Sequence, residues 1–481
     1  MKPILHALAM IGVVLGLSFL LCYGIGMLYS DPSTATTSFL TLGTICLIAS
    51  VVSFLLSRKS PELSRRDALI VVLTAWLFSG FVGAAPYLLC GVCTDVSGAI
   101  FESFSGLTTT GASVLTNLES LPRSLLFWRS FTHFLGGIGI LIVFIAILPF
   151  VGAGGVQLYN AESTGLLTEK LTARIAGTAR IIVGVYLILN SLCAILLRFG
   201  GLTWYDSVCH AFGTIATGGF STRTDSIAAF HSPFIEWVII VFMFVSGVSF
   251  VAHYRALTGN RAAYLKNSEL HLYALLTVAT AAIGTICLVR QLDVDAMTSL
   301  RMTVFQTVSL FSTTGFTTAD YDIWPSVLRF SFLILMVIGA CAGSTSGAIK
   351  SVRVVVAWKV FMRQLGRIIH PSRVQALRLD GNPLPSDRAD KAVTYIVAYL
   401  LILAVATLTI SLFTSDSMTA VSSVIACLGG VGPGMGGAGP TETYAEFPAI
   451  AKLVLVFCML LGRLEIYICL AAFMPSFWKN Q

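Results

Sequence analysis

Along the chain, long apolar runs alternate with short polar connections. Runs of roughly 20 apolar residues, enough to cross a bilayer as helix, occupy 4–29, 39–56, 68–89, 125–150, 175–197, 234–251, 272–289, 327–341, 393–413 and 449–473. They predict ten membrane spans. From the third span onward the rhythm is broken by shorter apolar segments that end in glycine, threonine and serine. The first such ending is FSGLTTTGAS at 104–113, followed by IATGGFST at 215–222, STTGFTTA at 312–319 and LGGVGPGMG at 428–436. Their central glycines, Gly111, Gly218, Gly315 and Gly432, lie about 100 residues apart, the signature of an internal repeat.

Each copy sits in the same setting: an apolar span, a loop, a segment of about a dozen residues, the glycine element, then another span. The short segments begin near Asp95, Thr203, Asp295 and Ser415, residue types that favour helix N-caps, and run through FESFSGL, VCHAFGT, VFQTVSLF and VSSVIACL. They are too short to span a membrane, so each unit reads as helix, half-helix, loop, helix. A non-helical loop at membrane depth leaves carbonyls and amides unpaired unless they are buried in protein or line a water-filled path. Four such loops converging on one axis would present rings of carbonyls able to replace water around a cation. Glycine suits backbone that needs positive φ or close approach. Each half-helix would also aim the negative end of its dipole at the axis, which favours cations.

Composition agrees with this pattern. Of 481 residues, 56% are hydrophobic and 11% charged, with mean hydropathy +0.86, outside the range of soluble domains. The net charge of +7 is explained by topology: Arg58, Lys59, Arg65 and Arg66 follow span two, Lys170 and Arg174 precede span five, and Arg255, Arg261 and Lys266 follow span six. By the positive-inside rule both termini face the cytoplasm, and the charge implies no nucleic-acid partner. Cysteines are scattered through the spans except for Cys90 and Cys93, a C-x-x-C at the outer end of span three. That pair is either incidental or an outer-face disulfide.

These residues resemble the TrkH/TrkG/KtrB superfamily of microbial K⁺ transporters, over almost the whole chain. Thr110-Gly111, Thr217-Gly218, Thr314-Gly315 and Val431-Gly432-Pro433-Gly434 match that family's four filters, and the two extra N-terminal spans resemble its TrkH branch. The resemblance implies an all-α polytopic membrane protein of four pseudo-repeated helix–pore-helix–helix units around one pore. The units fall at 58–170, 171–267, 268–387 and 388–481 after a two-helix extension at 1–57. It implies K⁺ held by backbone carbonyls and threonines at Thr109, Thr110, Gly111, Ala216, Thr217, Gly218, Thr313, Thr314, Gly315, Gly430, Val431 and Gly432. In plant relatives a serine at the first filter-glycine position accompanies Na⁺ permeation, so four glycines imply K⁺ preference. One matching glycine per loop, without a full TVGYG, implies looser discrimination against Na⁺ and Rb⁺ than in a dedicated K⁺ channel.

The span from 327 is interrupted by GACAGSTSG at 339–347. Gly339, Gly343 and Gly347 are spaced i, i+4, i+8, so the residues alone allow either a small-residue helix contact or an unwound stretch. The resemblance implies the second: an intramembrane gating loop beneath the filter, comprising Gly339, Gly343, Ser344, Thr345, Ser346 and Gly347. Arg463, deep in the last span, should face water or a partner, since an arginine at the bilayer centre costs about 2.5–3.5 kcal/mol or more. The family match places it in the pore as an electrostatic barrier; a bridge to another helix is the alternative. Glu465 at i+2 does not share its helix face. The basic segment Lys350, Arg353, Lys359, Arg363, Arg367, Arg373, Arg378, Arg388 and Lys391 carries the positive-inside signal. Through the resemblance it also implies a homodimer docked on a cytosolic, nucleotide-binding TrkA-type ring, with the nucleotide held by that partner and no cofactor in this chain.

An enzyme is disfavoured. H-E-x-x-H, G-x-S-x-G and Walker A motifs are missing, and the G-x-G-x-x-G at Gly432–Gly437 follows a half-helix rather than a strand. His133, His210, His253 and His271 stand isolated and read as structural or interfacial. A coupled carrier would usually place acids inside the spans, which hold almost none. Glu102 and Asp206, in half-helices, either enrich cations at the outer face or cap backbone amides. The expectation is therefore gated K⁺ uptake across a bacterial or archaeal cytoplasmic membrane, with a Na⁺- or H⁺-coupled symporter, or a scaffold on the same fold, as alternatives.

Overall fold

The computed structural model describes residues 2–57, 65–139, 175–260, 262–370, 376–464 and 466–475. Expectations resting on Arg58, Lys59, Lys170, Arg174, Arg261, Arg373, Glu465 and the end of the fourth apolar run, 140–150, lie outside those residues. Within them the chain is almost wholly helical, with one two-residue β-hairpin pairing β1 (Arg378–Leu379) and β2 (Asn382–Pro383).

Helices α1 (Lys2–Leu28) and α2 (Ser33–Leu56) form a hairpin that packs through α1 on the first unit. Gly16 and Gly43 face each other across it, and a Cβ on either would come 3.2 Å from the other's carbonyl oxygen. Small residues thus permit the close approach that van der Waals packing between apolar helices requires.

Four units follow. The first comprises α3 (Arg65–Leu89), α4 (Val96–Leu107) and α5 (Arg123–Ile138). The second holds α6 (Ile175–Phe199), α7 (Trp204–Ile215), α8 (Pro233–Ser246) and α9 (Phe250–Leu257). The third holds α10 (Ser268–Gln291), α11 (Ala296–Phe311), α12 (Ser326–Ile338) and α13 (Ser351–Ile369). The fourth holds α14 (Ser386–Ile410), α15 (Ser417–Gly429), α16 (Ala449–Arg463) and α17 (Ile466–Phe473). A proline opens each of α5, α8, α12 and α16, as N-cap (Pro122, Pro325, Pro448) or at the first turn (Pro233), where its missing N–H costs nothing.

Packing closes the units into a ring. Each half-helix lies against helices of its own unit and against the post-filter helix of the preceding one: α4 on α16, α7 on α5, α11 on α8 and α15 on α12. Among the described residues, six helices are long and apolar enough to span a bilayer, α1, α2, α3, α6, α10 and α14. The other four expected spans are the post-filter helices, and each stops early. Helix α5 ends before Gly139 (φ +73°), α8 gives way to α9 at a 96° bend, α12 ends before Gly339 (φ +70°), and α16 ends at Arg463. Except at Gly339, where glycine, serine and threonine interrupt the run, apolar composition continues past these breaks, so hydropathy reads each as one span.

Candidate ion-conduction site

The four half-helices start from side-chain caps. Asp95 accepts from the amides of Ser97 and Gly98, Thr203 from Asp206, Asp295 from Met297 and Thr298, and Asp416 from Met418 and Thr419. In the fourth unit the cap is therefore Asp416, not Ser415. Hydrogen bonds from the Ser97 hydroxyl to Asp95, and from the Thr419 hydroxyl to Asp416, hold both carboxyls below the usual carboxylate range.

Their C-termini share one geometry. The amides of Thr110, Gly218, Thr314 and Val431 donate to Ser105 O (2.9 Å), Gly213 O (2.8 Å), Ser309 O (2.8 Å) and Ala426 O (2.8 Å). The residue before each is left-handed: Thr109 (φ +55°), Thr217 (+53°), Thr313 (+61°) and Gly430 (+68°). This is the Schellman cap, repeated four times, with β-branched threonine in three places where glycine is usual. Left-handed φ is strained for such residues and clusters at functional sites. The residue after each is a glycine at positive φ: Gly111 (+83°), Gly219 (+82°), Gly315 (+81°) and Gly432 (+99°).

The second unit thus corrects the sequence register by one residue. Ala216 is the right-handed cap, equivalent to Thr108 and Ser312, while Thr217, Gly218 and Gly219 match Thr109, Thr110 and Gly111. A Thr-Gly pair can be aligned on either glycine of ATGGF, and only the backbone decides between them.

The positive-φ glycines close a cycle. A Cβ on Gly111 would overlap the carbonyl oxygen of Gly218, one on Gly219 that of Thr314, one on Gly315 that of Val431, and one on Gly432 would lie 2.6 Å from that of Thr110. Each glycine makes room for the carbonyl of the next unit, and the fourth returns to the first. The carbonyls of Thr110, Gly218, Thr314 and Val431 therefore form one ring.

Behind the ring, each half-helix ties down its own post-filter strand with a different side chain. Glu102 accepts from Ser113 Oγ and from the amide of Val114 (2.9 Å); His210 Nε2 bonds Ser221 Oγ (2.9 Å). Gln306, with its amide oxygen turned to the strand, accepts from the amide of Thr318 (2.8 Å); Ser422 Oγ accepts from that of Met435 (2.8 Å). Glu102 is fully buried and paired with Arg129 at 2.7 Å. Asp206 accepts from the hydroxyls of Thr222 (2.6 Å) and Thr203 (2.8 Å). Glu102 thus caps a backbone amide, whereas Asp206 accepts from hydroxyls and lies 3.6 Å from Arg223 Nη2. Bonds between strands complete the circle: Arg129 to Ser221 O (3.1 Å), Ile227 N to Thr317 O (3.1 Å), Tyr321 Oη to Gly434 O (2.9 Å) and Tyr444 N to Ser113 O (2.9 Å).

Below the ring lies the segment from Gly339 to Lys350. It is not helical, and Gly339, Gly343, Ala348 and Lys350 all have positive φ, so the i, i+4, i+8 glycines form no helix stripe. The segment contacts the second, third and fourth units directly and the first through Arg463. Thr345 Oγ1 donates to Ile215 O (2.9 Å) at the end of α7, and the Gly347 amide donates to Thr313 Oγ1 (2.9 Å) in the third turn. Gly347 also packs directly on Gly429 O of the fourth. Arg463 links it to the first, donating to Thr345 O (2.8 Å) and Gly136 O (2.5 Å). At its base, the Ala342 amide donates to the buried Glu269 (2.9 Å) and the Phe250 amide to Gly343 O (3.0 Å). Through these two bonds Arg463 ties the end of α16 to the gating segment and to α5.

The TrkH family model, described as cation transport protein, matches residues 36–480. The chain belongs to the TrkH family. It is 37% identical over 437 residues to the Trk system potassium uptake protein TrkH of Salmonella typhimurium, covering 90% of each chain. To the protein of that name from Halomonas elongata it is 35% identical over 487 residues, covering 100% of each. Its fold matches the crystal structure of the potassium transporter TrkH from Vibrio parahaemolyticus with a TM-score of 0.88, at 32% identity and 99% coverage of both. The family is one of transporters, not enzymes.

In this TrkH-family chain the basic segment divides into packed and exposed residues. Arg353 is buried, lies 3.7 Å over the Tyr395 ring and donates to Ile349 O, and Lys359 Nζ donates to Arg378 O (2.8 Å). Arg367, Arg378 and Arg388 are exposed. Cys90 and Cys93 are free thiols, and burial pushes them up to about 11 and about 12, so both stay protonated at neutral pH.

Proposed function

We propose that this protein is the membrane subunit of a bacterial potassium-uptake system, conducting K⁺ inward across the cytoplasmic membrane down its electrochemical gradient. The observation that carries the reading is the ring in which each unit's glycine accommodates the next unit's carbonyl. Such a ring can replace a cation's water, and the C-terminal ends of four half-helices face it with partial negative charge. The filter is assigned to Thr109–Gly111, Thr217–Gly219, Thr313–Gly315 and Gly430–Gly432. Gly339–Gly347 and Arg463 are assigned to the gate, because they contact the ends of α7 and α15, Thr313 of the third turn and, through Arg463, Gly136 of α5. Regulation comes from a cytosolic nucleotide-binding ring that engages a homodimer through the exposed arginines, with both termini on the cytoplasmic side. The names of the relatives, Trk system potassium uptake protein, support the ion and the existence of partner components.

The test is ⁸⁶Rb⁺ uptake into liposomes containing the purified protein, with competing K⁺, Na⁺ and Li⁺, alone and with the partner ring. Uptake suppressed by K⁺ and only weakly by Na⁺ is expected. Equal suppression by all three ions would overturn the K⁺ preference.

A further inference from the structure

In three units the residue whose carbonyl joins the ring carries a side chain: Thr110, Thr314 and Val431. The second unit has Gly218 there, although its φ is not among the positive ones. Backbone conformation therefore does not demand glycine at this place. Space does: a Cβ on Gly218 would meet the ring of His133, with Cγ 2.5 Å, Cδ2 2.6 Å and Nδ1 2.7 Å away. His133 belongs to α5, the post-filter helix of the first unit, and is fully buried. Its imidazole fills the volume that the filter's own side chain fills elsewhere.

The ring is also bonded at both nitrogens. The Phe220 amide, immediately after Gly219, donates to Nε2 (3.0 Å), and Nδ1 lies 2.8 Å from Gly106 O in the first half-helix. An N–H pointing at Nε2 requires a lone pair there, so the imidazole is neutral with its proton on Nδ1, which donates to Gly106. The Phe220 ring also packs on both side chains, with Arg129 4.1 Å and the His133 ring 4.3 Å from its centre. One side chain thus fixes the backbone on the far side of Gly219 and anchors it to the neighbouring half-helix.

We propose that His133 is a positioning residue for ion selectivity: supplied by the first unit, it sets the Gly218 carbonyl of the second at the same place as its three counterparts. This rests on the filter reading above and deepens it. The ring's discrimination depends on four matched oxygens, and this oxygen is held by a neighbour's imidazole instead of its own side chain.

The experiment measures the K⁺/Na⁺ permeability ratio of reconstituted protein for His133→Ala, His133→Gln, Gly218→Ala, the double variant His133→Ala/Gly218→Ala, and Gly111→Ser. His133→Ala should lower the ratio about tenfold, the size expected when one buried amide loses its partner. His133→Gln keeps an acceptor for Phe220 and a donor for Gly106 and should restore most of it. Gly218→Ala should impair selectivity because its methyl meets the imidazole, and adding His133→Ala should recover it in part. A wild-type ratio in His133→Ala beside a lowered ratio in Gly111→Ser overturns the role of His133 and spares the filter. Unchanged ratios in both overturn the filter reading and the proposal with it. If His133→Ala does not fold, His133→Gln and the double variant decide: Gly218→Ala that the second substitution fails to relieve refutes the packing on which the proposal stands.

Discussion

The ring and the layer beneath it are built on opposite principles. At the ring, four units with different residues reach one backbone geometry: the same Schellman bond, the same left-handed residue, the same positive-φ glycine. Below it, among the described residues, the post-filter helices end differently, and the third unit sends a segment across that contacts the second and fourth and is linked to the first through Arg463. A site that must surround an ion evenly gains from fourfold likeness. An obstruction that must move needs only one mobile part and a latch. On the proposed function, selectivity belongs to what the units share and gating to the segment that the third contributes.

The sharpest way to break the first half of this contrast is at the second turn. Gly219→Ser places a side chain at φ +82° and against Thr314 O. Left-handed backbone alone costs a non-glycine residue about 1–2 kcal/mol, so the K⁺/Na⁺ ratio should fall at least about tenfold, with reduced flux. Ala216→Ser should leave both unchanged, because the equivalent positions already hold Thr108 and Ser312. Ion competition in liposomes checks the pair, and the reverse ranking would restore the register that puts Gly218 at the centre.

The second half is tested at Arg463. Arg463→Ala releases Thr345 O and Gly136 O and removes the positive charge that joins them. Basal ⁸⁶Rb⁺ flux without the partner ring should rise several-fold, with the K⁺/Na⁺ ratio unchanged. Deleting Gly343–Gly347 should do the same more completely. Folded variants with unchanged flux would reduce these residues to packing.

The repeat, the half-helices and the break at Gly339 were legible in the sequence because each changes composition: hydrophobic runs give way to glycine, serine and threonine. The breaks after Ile138, Ser246 and Arg463 were not, because the residues on either side remain apolar and the interruption lies in the backbone. His133 and His210 looked isolated for a similar reason. Their partners, Phe220 N, Gly106 O and Ser221 Oγ, are backbone groups or a lone hydroxyl, which leave no side-chain spacing to detect. Four filter supports as unlike as Glu102, His210, Gln306 and Ser422 do one task, holding the post-filter segment, with no letter in common. The register slip at Gly218 came from the same source, since the volume that makes it glycine is filled from another unit.

A smaller effect is expected where the gating segment meets the second half-helix. Thr345→Val preserves shape and removes the hydroxyl that donates to Ile215 O (2.9 Å). Losing one such bond costs about 1 kcal/mol, so basal flux should rise only a few-fold, less than for Arg463→Ala. An equal or larger rise would place the latch at Thr345 instead of Arg463.

The smallest effect lies at the far end of the fourth half-helix, on the side of likeness again. Asp416 caps α15 through the amides of Met418 and Thr419, and its bonds to the Thr419 hydroxyl and amide hold its pKa below the usual value. A depressed folded pKa means that the cap's contribution is fully present at neutral pH and is lost as pH falls through that lowered pKa. Asp416→Ala should therefore lower the melting temperature of the purified protein at neutral pH by an amount corresponding to about 1 kcal/mol, and the gap from wild type should close on acidification. Because the cap sits a whole half-helix away from the carbonyl of Val431, ion selectivity should stay as it is. A changed K⁺/Na⁺ ratio in this variant would show that the ring depends on the seating of the entire half-helix, and not on the turn at its end alone.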